Sequence, residues 1–438
     1  MKLNIDFGEK LRPIGKLNGT NNGPLHCFTD RTAEYKDMGI DFVRFHETHS
    51  YNTKCVEIPF IFRDFDADEN DPANYYFAET DAVIKSAVDA GIEICYRLGM
   101  GTEGEPHLFI AVPKDYEKWA RIAIHIMMHY NEGWANGFHY GIRYWEIWNE
   151  PDLPNYWPGK RAEYTNFYCT VAPILKAHDK KNKIGGPSSA NPLVAVPAPD
   201  APKEVWDNYY DRLPMIPEFL KRCARENIPL DFFAFHGYAA GGETVRAKMR
   251  YAMQILRDAG LEGKCEAINT EWAGMHLRRD RKNVWDYTQL YTQKGAMQYL
   301  AYMTFMQRMG ISKAAYYDSD ERSKFCGLYD FDGSHKIHYN VLKMWKLLRE
   351  YEWEVESEET PLPVTAVAAV GKKGKAVLVV NEGDATRLTL NMKNAPKGSF
   401  TVTLLSATKQ LEVVRRADFE NGTITLALPA ESAALIEF

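Results

Sequence analysis

Between about residue 13 and residue 349, short apolar, β-branched segments alternate with longer stretches whose apolar residues recur every three or four positions. That is the pattern of repeated strand–helix units. Eight strands are predicted. They lie near Leu17 to Leu25, Asp41 to Phe45, Ile92 to Leu98, Ile142 to Trp148, Lys183 to Gly186, Asp231 to Phe235, Cys265 to Thr270 and Ser312 to Tyr317. Helices are predicted between them. Thr80 to Ala90 opens on a capping threonine and stops at Gly91. Lys114 to Tyr130 lines up Trp119, Ile122, Ala123, Ile126 and Tyr130 on one face. Two more are predicted from about Trp285 to Met309 and from Tyr339 to Tyr351.

Eight parallel strands, each followed by a helix, point to a (β/α)8 TIM barrel over residues 13–351, with an open doubly wound sheet as the alternative. The barrel is favoured because the chemically richest residues fall just past strand ends, where a barrel gathers them into one mouth. After Glu352 the pattern changes to short alternating segments (VTAVAAV, KAVLVVN, TRLTLNM, FTVTLLS, ITLAL) separated by turns. Residues 352–438 therefore read as an antiparallel β-sandwich. The opening KLNIDF shares the alternation, so residues 1–12 are expected to add a strand to it.

Composition narrows the classes. The 438 residues are 45% hydrophobic and 26% charged, and no apolar run reaches the roughly 20 residues a membrane span needs. With 53 basic against 59 acidic residues there is no basic field for nucleic acid. The seven cysteines are an odd number with no CxxC spacing, and the first ten residues lack the features of a secretory signal. A reducing cytoplasm is expected. Trp (10) and Tyr (25) are numerous, and flat aromatic faces can pack on sugar rings as well as in a core.

Two segments carry the candidate chemistry. Arg143 to Asp152 (RYWEIWNEPD) runs as a strand into Asn149 and Glu150, and Pro151 cannot continue the ladder. A carboxylate is thus held at a strand end beside an amide. Ala267 to Ala273 (AINTEWA) is a second short strand ending in a glutamate, Glu271. Either alone reads as a surface residue. As the ends of strands four and seven of one barrel, the two face each other.

With these residues in view, the chain resembles the retaining TIM-barrel glycoside hydrolases. It is most similar to family 39, which contains β-xylosidases and α-L-iduronidases: WEIWNEPDLPNYWPG (Trp145 to Gly159) is similar to that family's acid/base segment, and INTEWA (Ile268 to Ala273) to its nucleophile segment. The resemblance implies Glu150 as acid/base and Glu271 as nucleophile. It further implies that Arg44 and His46, in VRFHET, are an arginine near the nucleophile and a sugar-binding histidine. Asn149 would bond the sugar's 2-hydroxyl, His236 would contact the sugar and Tyr238 the nucleophile. After strand eight the chain departs from the family, reading AAYYDSDERSKFCG. Tyr317 stands where a Trp is usual, and Asp318, Asp320 or Glu321 stand in for an acidic pair.

The implied activity is an exo-acting β-xylosidase working without cofactor or metal on a small glycoside or oligosaccharide, and a homo-oligomer is compatible with the chain. Alternatives are another sugar in the same pocket (a uronic acid, arabinose, galactose or glucose), for which Arg97 offers a cation to a uronate, or a non-catalytic carbohydrate-binding barrel. Three motifs are set aside. Gly99 to Gly104 spells GxGxxG but opens no helix; His46-Glu-Thr-His49 is one residue short of a metalloprotease spacing; and the Asn-Gly-Thr sites at 18 and 421 matter only in a secreted chain.

Overall fold

In the computed structural model, which describes residues 1–26, 29–46, 48–50, 53–101, 111–193, 199, 202–238, 242–274, 291–319, 327–330, 332–395, 398–419 and 422–438, eight strands close into a parallel barrel. In chain order they are Lys16–Asn21, Phe42–Phe45, Glu93–Leu98, Tyr144–Ile147, Lys183–Ser189, Phe232–Tyr238, Glu266–Ala273 and Lys313–Tyr316, each beside its predecessor and the last beside the first. The fold is a TIM barrel carrying a second, mostly antiparallel sheet.

Strand extents differ from the sequence pattern in an instructive way. The first strand stops at Asn21, because Asn22 and Gly23 both take positive φ and turn the chain away. The fifth continues through Pro187 to Ser189, the sixth to Tyr238 and the seventh to Ala273, each beyond its apolar run. Their polar last residues belong to the ladder and line the mouth. Between the sixth and seventh strands the register pairs Phe235 with Asn269 but His236 with Glu271, so Thr270 is an extra residue on the seventh strand. Such a bulge re-aims the side chain beyond it, here Glu271.

Helices cover the barrel's outside. The helix Tyr116–Asn131 is capped by Asp115, which accepts the Lys118 N–H at 2.9 Å, and it buries the predicted stripe of Trp119, Ile122, Ala123, Ile126 and Tyr130. Gln293–Met309 is buried on nearly all sides because the barrel lies on one face and the second sheet on the other. Six further helices, Thr32–Met38, Ala78–Asp89, Arg161–His178, Lys203–Arg212, Met215–Glu226 and Gly242–Asp258, complete the strand–helix alternation ahead of it.

Inside the barrel the side chains are layered. At the floor, where the strands begin, Lys16, Glu93, Lys183, Glu266 and Lys313 meet. Above them an apolar layer of Phe42, Cys95, Phe232, Ala234, Ile268 and Ala315 packs with Tyr144. Arg44 and Glu146 lie above that, beneath the mouth.

The second sheet has nine strands. Lys2–Pro13 runs antiparallel to Trp353–Ser357 and parallel to Thr386–Lys393, placing Leu3, Ile5 and Phe7 in the sheet's own apolar core. Arg308 of the barrel fastens this sheet on, donating to Ser357 Oγ (2.9 Å), the Ser357 carbonyl (2.8 Å) and the Ala366 carbonyl (3.2 Å).

Candidate active site

The mouth is built around one buried guanidinium. Arg44, wholly buried near the end of the second strand, donates from Nε to Glu146 Oε2 (2.6 Å) and from Nη1 to Glu271 Oε2 (3.0 Å) and Asn21 Oδ1 (3.1 Å). Its Nη2 donates to Asn149 Oδ1 (2.7 Å) and Ser188 Oγ (2.9 Å). Five strands or their ends thus share one cation. Burial disfavours its charge, but Glu146 and Glu271 outweigh that and hold it above the ordinary arginine value.

Glu271 and Glu150 approach from opposite sides. One donor atom each from Glu150, His236 and Glu271 lies within 4.8 Å of the other two. Glu271 receives Arg44 on Oε2 and the Tyr238 hydroxyl on Oε1, with His46 Nε2 3.7 Å and His236 Nδ1 3.6 Å from Oε2. Glu150 Oε1 lies 2.7 Å from His236 Nδ1. Both Glu271 oxygens already accept a hydrogen bond, Oε2 from Arg44 and Oε1 from Tyr238.

Two charges at that separation repel by roughly 3 kcal/mol at an effective dielectric of 20. The pair therefore holds a proton near neutrality. Burial, reinforced by Glu150, pushes the Glu271 carboxyl up to about 7 against the pull of His236, Arg44 and Tyr238. His236 goes the other way. Burial, helped by Arg44, takes it down to about 4 despite the nearby carboxylates, so at neutral pH it is an uncharged imidazole.

Local backbone holds this geometry. The chain leaves the fourth strand at Ile147, and Trp148 and Glu150 take positive φ (71° and 43°), as does Ser188 (59°) at the end of the fifth strand. Each costs about 1–3 kcal/mol for a residue other than glycine and persists only where the surroundings enforce it. Here Trp148 donates its N–H to Leu98 (2.8 Å) and Glu150 its N–H to Ser188 (2.9 Å), while the Trp148 indole donates to Tyr156 (2.9 Å). Buried Asp152 accepts from the Ala190 N–H (2.8 Å) and Arg212 (3.0 Å), tying the segment after the fourth strand to that after the fifth.

Of the residues singled out in the sequence, Arg44, His46, Asn149, Glu150, His236, Tyr238 and Glu271 converge here. Tyr317 joins them, its ring 6.1 Å from that of His46 and 6.3 Å from that of Tyr238. Asp318 follows it and is buried; Asp320 and Glu321 lie outside the described residues. Arg97 is wholly buried, donating to His46 Nδ1 (3.2 Å) and Glu57 Oε1 (3.1 Å). Sequence reasoning missed Asn21, Glu57, Glu146 and Ser188. For Glu146 a signal existed: a glutamate within an apolar strand at an inward position needs a buried cation.

Comparisons with known proteins show what the chain is similar to as a whole. Residues 28–259 match the family described as glycosyl hydrolases family 39. A β-xylosidase of Caldicellulosiruptor saccharolyticus is 22% identical over 435 residues, covering 90% of this chain and 81% of that one. In fold, the chain is similar to a glucosidase from Croceicoccus marinus (TM-score 0.75, 19% identity, covering 100% of this chain and 98% of that one). It is also similar in fold to a monomeric β-xylosidase from Caulobacter crescentus (TM-score 0.68, 14% identity, covering 100% and 99%).

Proposed function

The chain belongs to family 39 of the glycosyl hydrolases, and from that premise we propose that it is an exo-acting β-xylosidase that retains anomeric configuration. Glu271 is its nucleophile and Glu150 its acid/base. The observation that carries the proposal is the approach of the two carboxyls to within 4.8 Å. Retaining enzymes hold theirs about 5–5.5 Å apart, whereas inverting ones leave space for a water.

In the first step a Glu271 oxygen bonds to the anomeric carbon as the glycosidic C–O bond breaks, and the proton of Glu150 goes to the departing oxygen. Glu150, now ionised beside a neutral ester, takes a proton from water as that water attacks the same carbon and frees Glu271. Asn149 supports the reading: its Oδ1 is held by Arg44, and its buried Nδ2 has no partner among the described residues, leaving a donor for a sugar hydroxyl. Xylose as the sugar rests on the β-xylosidase relative. Arg97 favours a neutral sugar over a uronate, since Glu57 already takes its charge. A reducing compartment suits the five cysteines among the described residues, which are all free thiols. No helix among the described residues is long and apolar enough to cross a membrane.

Glu150→Ala tests the reading. Hydrolysis of an alkyl xyloside should fall by about 10²–10⁴-fold, while a dinitrophenyl xyloside, whose leaving group needs no proton, keeps its first step. Azide should then restore turnover by forming the β-xylosyl azide. An alkyl xyloside cleaved at the wild-type rate, or a product of inverted configuration, rejects it.

A further inference from the structure

Ser188 has one hydroxyl proton and three close partners. Arg44 Nη2, at 2.9 Å, can only donate to it. Glu146 Oε1, at 3.0 Å on a wholly buried carboxylate, can only accept. His236 Nε2, at 3.0 Å, can do either; Thr270 Oγ1 is more distant at 3.5 Å. The serine proton is therefore committed to Glu146, and an oxygen lone pair faces His236. Nε2 must carry the imidazole proton, because a bare nitrogen there would face a lone pair.

A neutral imidazole has one N–H, so Nδ1 is bare. Yet Nδ1 lies 2.7 Å from Glu150 Oε1, a hydrogen-bond distance that needs a proton between them. That proton sits on Glu150. The opposite arrangement, Nδ1–H donating to an ionised Glu150, would turn the serine proton towards Nε2 and take it from a buried Glu146 oxygen.

Building on the catalytic reading above, we infer that Ser188 and Glu146 are positioning residues: by fixing the tautomer of His236 they assign the shared proton of the carboxyl pair to Glu150. Glu271, bonded by Arg44 and Tyr238, both donors, is left to ionise first. Among the described residues, the charged and titratable groups around His236 include Glu150, Glu271, Arg44, Glu146 and Asp152. Four of them belong to this same assembly, and Asp152 is already paired with Arg212.

The test is 15N NMR of the full-length protein labelled at histidine, with His236→Gln to assign the signal. The expected state near pH 7 is Nε2 protonated and Nδ1 bare; Nδ1 protonated would overturn the inference. Ser188→Gly is the matching variant. Glycine adopts the positive φ of 59° freely, so removing this hydroxyl relieves backbone strain. It should lower kcat/KM for an alkyl xyloside by about a hundredfold, and for the dinitrophenyl xyloside far less, with the alkaline limb of the alkyl profile displaced to lower pH. Equal slowing of both substrates would reduce Ser188 to scaffolding and sink the inference. Failure of azide rescue in Glu150→Ala would instead strike the catalytic assignment, while the tautomer measured for His236 would stand.

Discussion

The two ends of the barrel carry the same kinds of residue and treat them in opposite ways. At the floor, Glu266 lies 2.7 Å from Lys183 and 3.7 Å from Lys313, and Glu93 lies 3.1 Å from Lys16 and 3.9 Å from Lys313. Burial raises Glu266, but the lysines and the Tyr144 hydroxyl overcome it and its carboxyl ends below the ordinary value. At the mouth, Glu146, Glu150 and Glu271 share one arginine and two histidines, of which His236 is uncharged, and Glu271 ends near 7. Cations outnumber carboxylates below and are outnumbered above. The floor ties strands together, whereas the mouth keeps a carboxyl whose charged form the fold disfavours, and on the proposed mechanism that disfavoured charge is the nucleophile.

Removing one glutamate from each end is the strongest way to break this comparison. Glu271→Gln should abolish turnover, by at least about 10⁴-fold, and yet stabilise the protein. Folding raises this carboxyl from 4.5 to about 7, so the folded chain binds the proton more tightly, and stability is lost as pH rises from 4.5 through 7. The variant escapes a loss of roughly 3 kcal/mol by pH 8. His236, lowered from 6.5 to about 4, has the reverse linkage, its stability lost as pH falls through that window. Wild-type stability should therefore vary little between pH 4.5 and 6.5, and that of Glu271→Gln should climb. Glu266→Gln should instead destabilise above pH 4.5, by roughly 1 kcal/mol because a third of its side chain meets screening solvent. Denaturant unfolding at pH 5 and pH 8 measures both; destabilisation by Glu271→Gln at pH 8 would mean that the mouth is built like the floor.

The pH dependence of catalysis sharpens the contrast. On the proposed mechanism Glu271 must be ionised, so kcat/KM should fall about tenfold per pH unit below about 7. Tyr238→Phe deletes a hydrogen bond to the ionised form and should move that limb to higher pH. A limb that stays near 4.5 would show that Arg44 outweighs burial after all.

The barrel was legible in the sequence because most of its strands contain a short run of apolar, β-branched or aromatic residues between helical stretches, whereas the first (KLNGTN) and fifth (KIGGPSS) carry little of that pattern. The strand ends were not. PSS (187–189), HGY (236–238) and EWA (271–273) look like the beginnings of loops because their polar residues serve the mouth, so Ser188 was passed over, and the bulge at Thr270 leaves no mark in a single chain. Glu150 and Glu271 were legible as carboxylates at strand ends. The Arg44–Glu146–Ser188–His236 assembly was not, because its members come from four strands and only the register between them makes it visible. Glu57 and Asn21 were missed for the same reason.

Tyr144→Phe gives the mildest and most selective probe of the separation between the ends. The Tyr144 hydroxyl accepts from Lys313 (2.7 Å) and Lys183 (3.0 Å) and donates to Glu266 (3.0 Å), while its ring packs against Phe42 and Phe232. Phenylalanine keeps the ring and loses only the hydroxyl, and both lysines still have Glu266 within reach. The cost should be about 1 kcal/mol or less, a fall in Tm of a degree or two in a chain of this size. The apolar layer of Phe42, Cys95, Phe232, Ala234, Ile268 and Ala315 stands between this hydroxyl and Arg44, so kcat/KM and its pH profile should be unchanged. A displaced acid limb in Tyr144→Phe would mean that charge at the floor is felt by Glu271 through that layer, and the two ends would have to be treated as one electrostatic unit.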